Sequence, residues 1–343
     1  MATRVYFATN RNPIISDVPN NFGTDFSSDG TLQFGRAILQ SVKDESELGN
    51  SNLAIDSLAK GDFSDALKTE IVEQGADHLL ITVHGFDYRF REAVMRAGFL
   101  ADWYGRGKPK LASTVIAFSW PSLGSLTVDA YRTDYRNAAA SSGAFRRFLL
   151  ALLPLIKRYR GKSPKRRVSV MAHSMGNHFL HAGLLASIGT APGQLALGDF
   201  AGLIDRSLLI ASDEDADVLS TGGGLGSLLD ISRHVALYYN RQDLPLTTIS
   251  RVVHGTGRLG VDGPHDKSSF SGRNISFVNC SAANPELPNR ARLDPQWHQY
   301  YRLVPEVRDD LCAVMAGKDA AGLPNRTFRK AQNYYRLSLA AGG

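Results

Sequence analysis

A serine stands between two small residues at the end of a β-rich run. The run 167–172 (RVSVMA) is followed by Ser174, then Met175 and Gly176, and then by a segment with helical spacing. The pattern is close to Gly-x-Ser-x-Gly, in which a serine occupies a sharp turn between a strand and a helix. Such a turn tolerates only small neighbours, here Ala172 and Gly176, and it lifts the hydroxyl clear of the backbone. Ser174 is therefore the candidate nucleophile.

A second motif supports this interpretation. The apolar run 78–84 (HLLITVH) leads into Gly85 and Phe86, ahead of the serine in the chain. A His-Gly pair at this place is typical of the loop that completes an oxyanion hole. We predict that the backbone N–H groups of Phe86 and Met175 bind the oxyanion, with Gly85 letting the chain approach the substrate. The alternative is a Ser174 that only caps the following helix.

A serine needs a histidine to remove its proton and a carboxylate to orient that histidine. When the nucleophile lies on such a turn, the acid and then the histidine follow it in the chain. His298 comes after the last apolar run and before a final helix, where the base is expected. His254 and His265 are the alternatives, and both would otherwise be polar loop residues.

Two groups of acids follow β-rich runs. Asp243 follows the run 234–239 (HVALYY), whereas Asp215 lies in the cluster 213–217 (DEDAD) after the run 206–211 (RSLLIA). The later strand is the commoner place for the acid, so we predict Asp243, with Asp215 as the alternative. The cluster lacks the glycine and the terminal glutamate of a calcium loop, and we predict no metal. Acyl transfer by such residues requires no cofactor, and none is predicted.

The elements that position these residues alternate along the chain. Strands are predicted at 78–84, 113–120, 167–172, 206–211, 234–239 and 275–278, the last strand, and helices at 90–104, 125–159 (one or two), 175–187 and 304–315. This alternation indicates a mostly parallel sheet with helices on both faces. Such sheets carry their sites at the carboxyl ends of the strands.

The first 75 residues are expected to form N-terminal strands and loops of the same single domain, 1–343. Strands are predicted at 4–8 and 32–42, a loop at 10–29, and a helix at 62–74 with Asp62 or Ser64 as its cap. The segment 255–260 (GTGRLG) matches a dinucleotide-binding pattern. It comes late, and Gly263 and Pro264 follow closely, so we interpret it as a flexible loop.

Composition limits the classes of function. The chain has 343 residues, of which 43% are hydrophobic and 21% charged, as in a soluble globular protein. The net charge of +6 is concentrated in 157–167 (KRYRGKSPKRR), where cations at a helix end are favourable. This stretch has almost no interleaved aromatic residues, so no nucleic-acid partner is predicted.

No apolar run reaches the ~18 residues of a membrane span, and the N-terminal apolar run is too short for a signal peptide. The two cysteines, Cys280 and Cys312, do not suggest a disulfide framework. Cytoplasmic localisation is therefore expected.

Several segments together resemble a known family. They are 5–10 (VYFATN), 83–86 (VHGF), 118–122 (FSWPS), 172–177 (AHSMGN), 239–243 (YNRQD) and 298–301 (HQYY). This set is similar to a little-characterised bacterial family of α/β-hydrolases, catalogued as a domain of unknown function. The resemblance implies an α/β-hydrolase fold and a triad of Ser174, Asp243 and His298. It also implies that the loop 120–122 borders the pocket, and 122–145 is expected to be a pocket-lining insertion. The segment 222–226 (GGGLG) and the tail after 317 match no pattern.

The expected reaction is acyl transfer through a covalent intermediate, with a small and partly apolar carboxylic ester as substrate. Gly85, Trp120, Trp297 and Tyr300 are candidate substrate-binding residues. An amidase, peptidase or thioesterase would use the same residues, and a non-catalytic binding module of the same fold is the third hypothesis.

Overall fold

The computed structural model describes residues 3–14, 21–39, 53–60, 64–283 and 296–339. The strands are β1 Thr3–Thr9, β2 Arg11–Pro13, β3 Phe22–Phe26, β4 Gln33–Leu39, β5 Leu53–Lys60, β6 His78–Val83, β7 Ser113–Ser119, β8 Arg167–His173, β9 Ile204–Ile210, β10 Ser232–Tyr239, β11 Ile275–Ala282, β12 Arg326–Arg329 and β13 Tyr334–Ser338. The α-helices are α1 Asp65–Gln74, α2 Phe90–Gly105, α3 Val128–Ala140, α4 Ser142–Gly161, α5 Gly176–Ser187, α6 Leu228–Ile231, α7 Arg251–His254, α8 Leu259–Asp262, α9 Tyr300–Leu303 and α10 Pro305–Met315.

Eleven of these strands form one sheet, in the order β12-β13-β11-β10-β9-β8-β6-β7-β1-β4-β5. The neighbours from β13 through to β1 pair in parallel, whereas β4, β5 and β12 pair antiparallel at the two margins. The strands β2 and β3 form a separate hairpin. The mostly parallel sheet predicted from the alternating pattern is confirmed.

Helices cover both faces of the sheet, because its central strands are apolar on both sides. All six residues of β6 are buried. One hydrophobic cluster joins the sheet to α1, α4 and α5, and a second joins it to α2 and α10. Two apolar layers thus hold the strands, and their carboxyl ends remain available for a site.

The strand order reverses direction at β6. The chain passes from β6 to β7 on one side, and then crosses to β8 on the other. In the β6–β8 pair, Val83 lies opposite Ala172, so both strands end at the same level. A crevice at such a reversal is where parallel sheets bind ligands.

Several boundaries differ from the sequence-based expectations. The strand at 275–278 is not the last, since β13 continues the sheet beyond β11 and pairs with β12. The edge strand β12 is mostly exposed and β13, beside it, is mostly half-buried, so neither has the continuous apolar run of a buried strand. The expected loop at 10–29 contains the β2–β3 hairpin, and β5 was not predicted.

Other expectations concern helices. The stretch 125–159 forms two helices, α3 and α4, and Ser64 caps α1 by accepting the Leu67 amide. Asp62 and residues 40–42 lie outside the described residues. The segment 222–226 contributes to a 3₁₀ turn.

The segment 255–260 runs into α8 and buries Arg258 deeply, so it is not a flexible loop. Within the described ranges, no single helix is long and apolar enough to cross a membrane. Only α3 and α4 taken together, with a bend of 45° between them, reach that length and composition.

Candidate active site

Ser174 occupies the turn between β8 and α5. Its φ is +54°, in the left-handed region that a non-glycine residue occupies at a cost of about 1–2 kcal/mol. A Cβ at Gly176 would lie 2.6 Å from the carbonyl oxygen of His84 and 2.8 Å from that of Val83. Only glycine fits there, because α5 begins in contact with the backbone of β6.

Four hydrogen bonds hold the backbone around this strained residue. The Ser174 amide donates to the Ile210 carbonyl at 2.9 Å, and the Asp213 amide donates to the Ser174 carbonyl at 3.2 Å. The Asn177 side chain donates to the carbonyls of Ser174 and Ala172 at 3.0 and 3.1 Å. The serine is thus fixed to β8 and to the end of β9 at once.

His298 and Asp243 form the candidate base and acid. The His298 Nδ1 lies 2.7 Å from Asp243 Oδ2, and both side chains are buried. The other oxygen, Oδ1, accepts the Leu246 amide at 3.1 Å. Because a carboxylate faces Nδ1, that nitrogen carries the proton and Nε2 is the acceptor nitrogen.

His173 links His298 to the strand that carries the nucleophile. It precedes Ser174 in the chain, and its Nε2 donates to the His298 carbonyl at 3.2 Å. The two imidazole rings pack with centroids 4.7 Å apart. Burial lowers the pKa of His173 well below its usual range, so its ring is neutral. The His298 ring therefore packs against the residue that directly precedes the serine.

The segment after β6 closes over the same turn. A Cβ at Gly85 would lie 2.9 Å from Ser174 Cβ, so Gly85 lets the loop contact the serine. The backbone of Phe86 follows directly, and Met175 stands at the start of α5. The structure thus brings together the two predicted oxyanion-hole residues and the candidate nucleophile.

His84 supports this loop from within. Its Nε2 accepts the Trp120 amide at 3.2 Å, its Nδ1 lies 2.8 Å from the Gly85 carbonyl, and its own carbonyl accepts the Trp120 indole N–H at 2.9 Å. Burial lowers its pKa to about 3, which keeps the ring neutral. We expect His84 to have a structural role.

Two predicted substrate-binding residues, Trp120 and Tyr300, are buried and cannot contact a substrate. The Trp120 ring is fully buried, stacked on His84, because its N–H serves the loop backbone. The Tyr300 ring is also buried, and its hydroxyl donates to the Tyr238 carbonyl and accepts the Ala211 amide. Both residues support the backbone and offer no exposed face to a ligand. Trp297 is half-buried with φ +55°.

The alternative acid and bases have other partners. Asp215 Oδ1 accepts from Arg258 at 2.7 Å, so the carboxylate at His298 is that of Asp243. His254 lies 3.0 Å from the Tyr131 hydroxyl, and His265 is exposed.

Residues 122–145 include α3 and contribute to the surroundings of the oxyanion loop. The ring of Tyr131 meets that of Phe86 edge-on at 5.4 Å, and its hydroxyl donates to Asp213 Oδ2 at 2.7 Å. Sequence reasoning missed Tyr131, as well as Arg11 and Asp134, which contact the same loop. The signals were indirect: the motif 5–10 directly precedes Arg11, and the expected insertion 122–145 contains Tyr131 and Asp134. Among the described residues no three His, Cys, Asp or Glu side chains cluster as metal ligands.

Comparisons with known proteins identify a family. Residues 59–313 match a family model described as "Alpha/beta hydrolase of unknown function (DUF900)". No curated protein matched the chain by sequence.

Solved structures give weaker similarities. An acetyl xylan esterase is 10% identical with a TM-score of 0.34, covering 70% of this chain and 99% of its own. The catalytic core domain of acetyl xylan esterase from Trichoderma reesei is 12% identical with a TM-score of 0.31, covering 68% and 98%. An acylaminoacyl peptidase from Pyrococcus horikoshii is 9% identical with a TM-score of 0.36. The match covers 90% of this chain and 52% of the peptidase chain. Because the family model spans most of the chain and the sheet has the expected architecture, this protein belongs to that family of α/β-hydrolases.

Proposed function

We propose that this α/β-hydrolase is a serine hydrolase that cleaves carboxylic esters through an acyl-enzyme intermediate. The observation that carries the proposal is the 2.7 Å contact between His298 and Asp243, held beside the strained turn of Ser174. A buried carboxylate that fixes the tautomer of a histidine is the arrangement that activates a serine.

The proposed reaction has two steps. His298 removes the proton of Ser174 through Nε2 while the serine oxygen attacks the ester carbonyl, and the alcohol leaves with that proton. The amides of Phe86 and Met175 hold the negative oxygen of the tetrahedral intermediate. Water, activated by the same imidazole, then releases the acid and restores the serine.

Esters are the proposed substrates because an alkoxide leaving group requires less assistance than an amine. Phe86, half-buried beside the serine, is suited to a partly apolar acyl or alcohol group. Amides and thioesters would use the same groups, and a substrate panel distinguishes them.

The first experiment combines labelling with turnover. A fluorophosphonate probe should label the folded protein but not Ser174→Ala, and p-nitrophenyl esters should be hydrolysed faster than matched anilides or thioesters. A folded wild-type chain that neither reacts with the probe nor turns over any panel member would refute the proposal and favour a binding module.

The acid is tested with a matched pair. Asp243→Asn should lower kcat by about 10³–10⁴-fold, because an amide cannot hold the required tautomer. Asp215→Asn is the control, since Asp215 contacts Arg258 and not His298, and it should leave kcat within about threefold of wild type. The reverse result would show that the acid is misassigned.

A further inference from the structure

Arg11 lies fully buried between three segments that meet near the oxyanion loop. Its Nη2 donates to the Tyr88 carbonyl at 2.7 Å, and its Nη1 donates to the carbonyls of Ser122 at 3.1 Å and Gly23 at 3.0 Å. Its Nε donates to Ser119 Oγ at 3.0 Å. One planar guanidinium thus joins β2 to the loop after β6 and to the loop after β7.

Asp134 reaches the same two loops from α3. It is fully buried, and its carboxylate accepts the Ser122 hydroxyl at 2.5 Å and the Leu123 amide at 2.9 Å. The backbone of Asp87 lies near enough to favour the charged form of this carboxylate. The Ser122 oxygen in turn accepts the Tyr88 amide at 3.1 Å.

These contacts converge on one short stretch of backbone. Arg11 holds the carbonyl of Tyr88, and Ser122, which donates its hydroxyl to Asp134, holds the amide of Tyr88. Asp87 has a φ of +66°, so the chain turns sharply directly after Phe86. The direction of the Phe86 N–H depends on where this turn is fixed.

We propose that Arg11 and Asp134 are positioning residues that fix the oxyanion loop, so that the Phe86 amide is directed at the oxygen of the tetrahedral intermediate. This inference rests on the proposed function. The inference is that Arg11 and Asp134 stabilise the transition state of the reaction, in addition to any contribution they make to the stability of the fold. Neither residue contacts the substrate.

Arg11 and Asp134 can affect the rate because an oxyanion-hole donor must be placed accurately. A donor in an oxyanion hole contributes about 10²–10³-fold to kcat, and its contribution depends on its placement. A displacement of about 1 Å at a distance from the chemistry can cost about 10²-fold. Lysine at position 11 would keep the charge but lose the planar fork that reaches Tyr88, Ser122 and Ser119 together.

The test measures Arg11→Lys and Asp134→Asn on an ester that the wild type hydrolyses. We expect kcat to fall about 10–100-fold while KM changes less than threefold, because the lost contact acts in the transition state. The affinity for an alkyl boronic acid, which forms a tetrahedral adduct with the serine, should fall by a similar factor. Urea unfolding of each variant confirms that it is folded under assay conditions.

Arg326→Lys is the matched control. The Arg326 side chain is also buried, and it donates to Asp310 at 2.6 Å and to the Tyr238 hydroxyl at 3.1 Å, at the far margin of the sheet. This variant should lose stability but keep kcat and boronate affinity. If Arg11→Lys or Asp134→Asn does not fold, Ser122→Ala replaces it, since it removes only the hydroxyl that links Asp134 to Tyr88.

The outcomes separate the two proposals. A wild type without hydrolysis or fluorophosphonate labelling overturns the proposed function and this inference with it. An active wild type, with folded variants that keep both kcat and boronate affinity, overturns only the inference. The positioning role is also refuted if Arg326→Lys lowers kcat as strongly as Arg11→Lys.

Discussion

At the scale of single residues, two strained positions lie in the two turns that form the candidate site. Ser174 and Asp87 both have positive φ, although neither is glycine. Such backbone persists only where surrounding contacts enforce it, and it concentrates at functional sites. Here Ile210 and Asn177 hold the serine, whereas Arg11 and Ser122 hold Tyr88, the residue after Asp87.

The carboxyl group of Asp87 also has an unusual pKa. Burial, with the negative charges of Glu92 and Asp134 nearby, raises its pKa to about 6. An aspartate in the unfolded chain titrates near 3.9. The folded state therefore binds this proton more tightly, and the stability that this difference contributes is lost as pH rises from about 4 through about 6.

Asp87→Asn should remove that dependence. Asparagine tolerates the left-handed backbone and cannot ionise. We expect the variant to be more stable than wild type above pH 6, with a difference that shrinks as pH falls towards 4.5. Urea unfolding at several pH values measures this difference. A difference that stays constant with pH would show that the carboxyl of Asp87 is not the titrating group.

At the scale of elements, the site depends on close approach between the ends of β6 and β8. Gly85 contacts Ser174, and Gly176 contacts the carbonyls at the end of β6. Both contacts require the absence of a side chain. The two strand ends therefore act as one unit, and a change on one displaces the other.

Gly85→Ala tests this coupling. Its Cβ would lie 2.9 Å from Ser174 Cβ and 3.0 Å from the His173 carbonyl, so the loop must move away. We expect kcat to fall at least about 10-fold, because the Phe86 amide moves with the loop. Steady-state kinetics on the ester substrate measure the effect.

Gly105→Ala is the control for that change. A Cβ at Gly105 meets no atom within 4 Å, and the position ends α2. It should keep wild-type kcat and gain up to about 1 kcal/mol of stability from helix propensity. An unchanged kcat in Gly85→Ala would show that the loop accommodates the added Cβ without displacing the Phe86 amide.

At the scale of the whole molecule, two cysteines lie in one of the two hydrophobic clusters that pack against the sheet. Cys280 on β11 and Cys312 on α10 are free and buried. Burial raises the pKa of Cys312 to about 12 and that of Cys280 well above its usual value. Since the thiolate is the reactive form, both thiols are inert in the folded state.

The corresponding measurement is a thiol count. Ellman's reagent at pH 8 should find no reactive thiol in the native protein and two after denaturation, because unfolding exposes both residues. A reductant should leave the melting temperature unchanged. One disulfide, detected as a mass two daltons lower than the reduced chain, would contradict the expectation.

The sequence by itself determined the chemical groups and their order. Ser174 between Ala172 and Gly176 was recognisable because the steric demands of a tight turn are local. Buried parallel strands such as β6 and β8 were recognisable because their apolar runs are continuous. The strands β12 and β13 were not predicted, because exposed and half-buried strands have no continuous apolar run.

Only the tertiary structure decided which acid meets which base and what holds the loop. Asp243 and Asp215 both follow strands, and the 2.7 Å contact with His298, 55 residues along the chain, distinguishes them. The partners of Arg11 that belong to the two loops lie 77 to 111 residues away. Contacts at such separations depend on the order of strands in the sheet, which no local pattern encodes.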